Sequence, residues 1–162
     1  WARGMALDEL IEHNRRLPAQ AEADLHLRKA TYGAVCPSLA HPYVVREGLL
    51  LMHNGSIDQL APADPAHSDT LELARALGDL LAGLSDEQAA RLVRSAGFAR
   101  LLEPLITGST VVLLDAQGAV RMGRAWHRLD ASHWHDEMAG IEVSNMTNWR
   151  QPAQGVCSLR AA

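Results

Sequence analysis

Aromatic side chains are scarce in this sequence, which holds one Phe, two Tyr and four Trp. Its core must therefore be filled mainly by Leu, Val and Ala. Cysteine is scarce too: Cys36 and Cys157 stand far apart and make no disulfide framework. A reducing, cytoplasmic setting is the expectation. Lysine occurs once, at Lys29, and there is no dense Lys/Arg block. With a net charge of −4 the chain is not expected to bind nucleic acid. No apolar run approaches the length of a membrane span, so no membrane partner is expected. A Gly-rich phosphate loop, internal repeats and low-complexity tracts are also missing, and no cofactor is expected. No signal-peptide pattern is visible. Trp1 is an unusual first residue, since initiation supplies Met, and the expectation is that the chain continues upstream of it.

What is present suits one domain, 1–150, followed by a tail, 151–162, with little signal. A chain of 162 residues can bury a core without staples. Met5–Leu17 reads as a helix, with Leu7, Leu10, Ile11 and Leu17 near one core-facing side and Pro18 at its end. Ala23–Ala30 alternates, Leu25 and Leu27 against His26 and Arg28, as a strand with one polar face does. Residues 34–42 contain two prolines and no period, hence a loop. Tyr43–Arg46 and Gly48–His53 read as a strand pair about a turn at Glu47-Gly48, and 57–67 as an irregular loop or flap. Ser68 is a good N-cap for an apolar stripe that runs from Leu71 to Leu81. Ser85 and Gln88 have capping-box spacing for a helix over Asp86–Ser95. Phe98–Leu105 reads as a further short helix. Thr110–Asp115 and Ala119–Arg124 form a hairpin, and Ile141–Ser144 a last strand. Strands grouped with helices between them make an α+β fold.

The stretch Gly48–Thr70 organises the rest. A wholly apolar run, Leu49-Leu50-Leu51-Met52, ends in His53-Asn54-Gly55. Asn-Gly tolerates φ > 0 at both residues and so marks a turn. An amide side chain and a freely oriented N–H at the end of a core strand can also form an oxyanion hole, with donors aimed at a developing negative charge. Around it lie HLRKATYG (26–33), LAHP (39–42), HNGSI (53–57) and SDT (68–70), in that order. This ordered set resembles the glutaminase domain of class II glutamine amidotransferases, which are N-terminal nucleophile hydrolases. The family runs H-x-R-x-A-T-H-G, N-x-H-P, H-N-G-x-I and S-D-[TS]. The likeness covers roughly residues 24 to 75 and continues weakly to GIEVSNMTNW (140–149).

The resemblance implies a four-layer αββα sandwich of two antiparallel sheets between helices. It also implies hydrolysis of the glutamine side-chain amide to glutamate and ammonia, for an acceptor on a partner protein. Arg28 would grip the glutamine α-carboxylate, for which its planar fork is suited. Thr31 would sit beside it, Asp69 would take the α-amino group, and Asn54 with Gly55 would hold the oxyanion. His53 is expected to act as a structural hydrogen-bonder rather than a base. Asp69, in the first turn of its helix, is also favoured there by the helix dipole alone.

The chain departs from the pattern at Tyr32, where the family has His, and at Leu39, where it has Asn. The segment before HLR is short for the family's first hairpin. The family's nucleophile is an N-terminal Cys whose own α-amine serves as base, whereas residue 1 here is Trp. Three accounts fit: a longer protein, a separate or removed cysteine-bearing segment, or a non-catalytic descendant acting as a structural or interaction protein in a larger assembly such as a phage particle. His127, His133, His135 and Asp136 crowd one stretch, but without a second ligand pair at fixed spacing no metal site is expected. A Cys36–His dyad lacks any supporting elbow motif.

Overall fold

The two apolar runs Leu49–Asn54 and Thr110–Asp115 lie side by side as the central strands of an antiparallel sheet. The computed structural model describes residues 1, 3–4, 6–18, 21, 23–27, 30–129 and 141–145. The fold is α+β, and the chain divides into two compact units, Trp1–Gly123 and Arg124–Ala162. The first unit contains α1 (Leu7–Arg15), β1 (Tyr43–Arg46), β2 (Leu49–Asn54), α2 (Asp69–Leu81), α3 (Asp86–Val93), α4 (Ala96–Leu102), β3 (Thr110–Asp115) and β4 (Gly118–Gly123). Single 3-10 turns stand at Pro37–Leu39 and Asp58–Leu60. The described part of the second unit holds a two-stranded antiparallel pair, β5 (His127–Arg128) with β6 (Glu142–Val143).

The four-stranded sheet runs β1-β2-β3-β4, each strand beside its neighbour in sequence. Its register sets Leu51 opposite Tyr43 on one side and Leu113 on the other, and Val111 opposite His53 and Met122. Directly opposed residues share a face, so these side chains form one layer. Against it lie Leu73, Ala74, Leu77 and Leu81 of α2, Ala89 and Val93 of α3, and Phe98 and Leu102 of α4, all buried in a single cluster. Two ion pairs pin the layer's rim. Arg46 donates to the carbonyls of Leu81 (3.1 Å) and Leu84 (3.0 Å) and to Asp86 (2.8 Å), closing the α2 C-terminus. Arg94 makes a forked pair with Asp115, 2.6 and 2.5 Å, tying the end of α3 to the β3–β4 hairpin. That guanidinium holds the Asp115 carboxyl below the usual carboxylate range.

The other face carries Leu50, Met52 and Leu114. Together with α1 and residues 23–27 they line a cavity of about 670 Å3. Here the structure corrects two expectations. No residue of α1 is buried: its apolar stripe faces this cavity and not the core. Residues 23–27 form no strand, and Leu25 and Leu27 are 58% and 75% exposed. Alternation specifies a strand only where the backbone itself pairs, and this segment meets the edge of β2 through a side chain, His26. The fourth helix, α4, starts earlier than the apolar pattern predicts, at Ala96, because Ser95 accepts from Phe98 N–H at 3.1 Å as its N-cap. Among the described residues no helix is long and apolar enough to cross a membrane.

Gly78 of α2 lies against the β1 backbone, where an added Cβ would stand 2.7 Å from the Val45 carbonyl oxygen. An exposed helical Gly→Ala gains about 1 kcal/mol. Gly78→Ala is expected instead to cost about 1–3 kcal/mol by overpacking α2 on β1, read as a lowered urea midpoint at unchanged slope.

Candidate functional site

β2 runs out of the core at Asn54, which pairs with Thr110 across the sheet. The next residue must be glycine. Gly55 has φ +142°, and a Cβ there would overlap the Ser109 side chain. Ser109 Oγ in turn donates to the Ser56 carbonyl at 3.3 Å, so the turn is held from the β3 side.

On the other side lies residue Thr31, whose Oγ1 accepts from Ser56 Oγ at 3.1 Å. Its neighbour Tyr32, the residue that replaces a family His, donates its phenol to Asp58 at 2.8 Å. That bond to Asp58 raises the phenol's pKa. Ala34 N–H donates to the Pro65 carbonyl at 2.8 Å, and Gly33, at φ +77°, passes so close to the His67 carbonyl that no side chain fits. Residues 31–34 are thus fastened on both sides to the 56–67 segment.

The third component is the start of α2. Ser68 accepts from Leu71 N–H (3.1 Å) and bonds the Tyr43 hydroxyl (3.0 Å). Asp69 is only 4% exposed. Its Oδ2 accepts from Ile57 N–H at 2.8 Å, and its Oδ1 from Thr70 N–H at 2.8 Å and the Thr70 hydroxyl at 3.3 Å. With its hydrogen spent on Asp69, the Thr70 hydroxyl accepts from His53 Nδ1 at 2.9 Å. This network assigns the His53 proton to Nδ1. Its Nε2 is buried with no hydrogen-bond partner among the described residues. Burial lowers the His53 pKa, and the charge of Asp69 opposes this. The ring is therefore the neutral end of a His53–Thr70–Asp69 chain, with the Thr70 hydroxyl in the middle.

The structure brings Thr31, Asn54, Gly55 and Asp69 to one end of β2, linked through Ser56 and Ile57. Arg28 lies outside the described residues, as do His133, His135, Asp136, Cys157, residues 146–149 of the late motif and the tail 151–162. Cys36 lines the cavity on the sheet's second face, its Sγ 3.2 Å from Ser38 Oγ. No group of three or more His, Cys, Asp or Glu among the described residues is placed to hold a metal. The sequence reading missed Thr70 and the extent of the His53 chain. A signal existed: His53 falls two residues after Leu51, on the core-facing alternation, where a polar side chain needs a partner. No protein-family model, curated protein or solved structure matches the chain.

Two outcomes follow for stability. Thr70→Val keeps the shape but strands the His53 Nδ1–H, and is expected to cost about 1–3 kcal/mol in denaturant unfolding. His53 contributes its stability as a neutral ring. That contribution is complete above the unfolded value of 6.5 and is lost as pH falls below it, because only the unfolded chain then takes up the proton. Unfolding free energy should fall by up to about 1.4 kcal/mol per pH unit in that range. The slope should shrink in His53→Asn.

Proposed function

We propose that residues 1–150 are a class II glutamine amidotransferase-like glutaminase domain of a cytoplasmic protein. The observation that carries this reading is the gathering of Thr31, the Asn54–Gly55 turn and Asp69, from three separate motifs, by side-chain bonds through Ser56 and Ile57. A thiolate would attack the glutamine side-chain carbon, and Asn54 with the Gly55 N–H would hold the oxyanion. Water would then hydrolyse the thioester. Arg28 and Thr31 would take the α-carboxylate, and Asp69 the α-amino group. The nucleophile of this family, an N-terminal Cys, is not among residues 1–162, and the ammonia acceptor would be a partner protein. The same reading extends the fold to the four-layer αββα sandwich, with the four-stranded sheet and its helices as two of the layers.

One observation favours a second reading, a non-catalytic scaffold in a larger assembly. The Asp69 carboxylate is 4% exposed and already accepts from three donors. An ammonium group could reach it only if the segments above it were displaced.

Residues 1–162 should bind glutamine weakly and not hydrolyse it. Two charge-assisted contacts of about 1.5–3 kcal/mol each, less the cost of immobilising a small ligand, imply a Kd of about millimolar or weaker. Ligand-observed NMR should show this binding, lost in Arg28→Ala and retained in Cys36→Ser. A glutaminase assay should turn positive only when a segment beginning with Cys is supplied ahead of the chain. Turnover that vanishes in Cys36→Ser would overturn the scheme. Absence of any glutamine binding would leave the scaffold reading.

A further inference from the structure

We propose that His26 and His41 are positioning residues for the Asn54–Gly55 turn, their imidazoles standing in for a missing strand beside His53. The proposal takes from the preceding reading that this turn is the oxyanion site. β1 pairs with β2 only as far as Tyr43 opposite Leu51. In an antiparallel sheet the N–H and C=O of one residue point to the same side. Two residues beyond Leu51, those of His53 point where β1 would have continued. Both are met by side chains. The His53 carbonyl accepts from His26 Nε2 at 2.8 Å, and the His53 N–H donates to His41 Nδ1 over a long 3.5 Å. The two imidazoles pack on each other, centroids 3.9 Å apart, and Tyr43 meets His41 edge-on, centroids 5.1 Å apart. A buried backbone pair left unmet here would cost as much as lost hydrogen bonds, so the rings fix the last core residue before the turn.

The chemistry makes this support sensitive to acid. His41 serves as acceptor only while Nδ1 is unprotonated. A proton there sets donor against donor and places a positive ring against His26. The titratable and charged groups around the pair are few. Asp69 of α2 is reached through Thr70 and His53. Glu9 and His13 of α1, with Arg3, Asp24 and Cys36, line the cavity that His26 and His41 also line. Asp24 is engaged by Arg121 of β4 at 3.5 Å. Arg28 and Lys29 lie outside the described residues.

The test is NMR on the 162-residue chain, following imidazole nitrogens and the backbone amides of His53 and Gly55 across pH. His41 should show the neutral form with a bare Nδ1, and the Gly55 amide should shift in step with His41 protonation. His41→Ala and His26→Ala should each speed His53 amide exchange at least about tenfold, the loss of one hydrogen bond. His41→Asn and His26→Gln put a non-titrating oxygen or N–H near the same positions. They should restore protection, and His41→Asn should also abolish the pH-dependent shift at Gly55. These two variants keep the test decisive if the alanine variants fail to fold. Unchanged His53 exchange in folded alanine variants, or a wild-type pH shift in His41→Asn, would overturn the proposal. Glutamine added to the same samples separates the two readings: no response to glutamine counts against the glutaminase site and leaves the imidazole effect standing.

Discussion

One buried carboxylate ties this structure together. Asp69 opens α2, where the helix dipole already favours a negative charge. From there it holds the N–H of Ile57 beyond β2, the N–H and hydroxyl of Thr70 in the helix and, through that hydroxyl, the ring of His53 inside the sheet. A strand end, a turn and a helix start thus share a single anchor. Remove the carboxyl group and these buried donors lose their acceptor together, each at the full cost of desolvation. The tight approach of Gly55 to Ser109 and the bond between Ser56 and Thr31 operate within the frame that this anchor sets.

The same carboxylate poses the functional question. An ionised Asp offers about four lone-pair sites, and the described donors to Asp69 use three of them. What remains suits one further donor, which is what an ammonium group would bring, yet the group is covered. Scaffold and proposed binding site draw on the same atoms. Which role prevails depends on whether 31–34 and 56–67, latched to each other by Tyr32–Asp58 and Ala34–Pro65, separate to admit a ligand.

The sheet has two unlike faces. One is sealed by three capped helices whose apolar stripes fill it. The other carries Leu50, Met52 and Leu114 beneath α1 and residues 23–27 and keeps a cavity of about 670 Å3. The imidazoles of His26 and His41 stand at the edge between these faces, where β1 stops short and β2 continues. Among the described residues, cover on the second face comes from the unburied helix α1 and the non-strand segment 23–27, which leave the cavity between them and the sheet.

How far the sequence alone went follows from the range of the forces involved. It determined the elements whose signals are local: the Ser85–Gln88 capping box, the Ser68 cap, the apolar runs of β2 and β3, and the turn that Asn54-Gly55 demands. It also brought forward Asn54, Gly55, Thr31 and Asp69 as candidates, through short motifs. It misread residues 23–27, because alternation describes a strand without saying whether its backbone will pair, and it misread α1, because a stripe does not name the surface it will face. Only the tertiary structure decided that Asp69 is an acceptor for Ile57 and Thr70, that Thr70 leaves His53 with its proton on Nδ1, and that two histidines replace a strand beside it. Apart from the bonds between the neighbours Asp69 and Thr70, those facts join residues 12 to 27 positions apart. No local pattern encodes such distances, since the pairing energy exists only after the chain has closed.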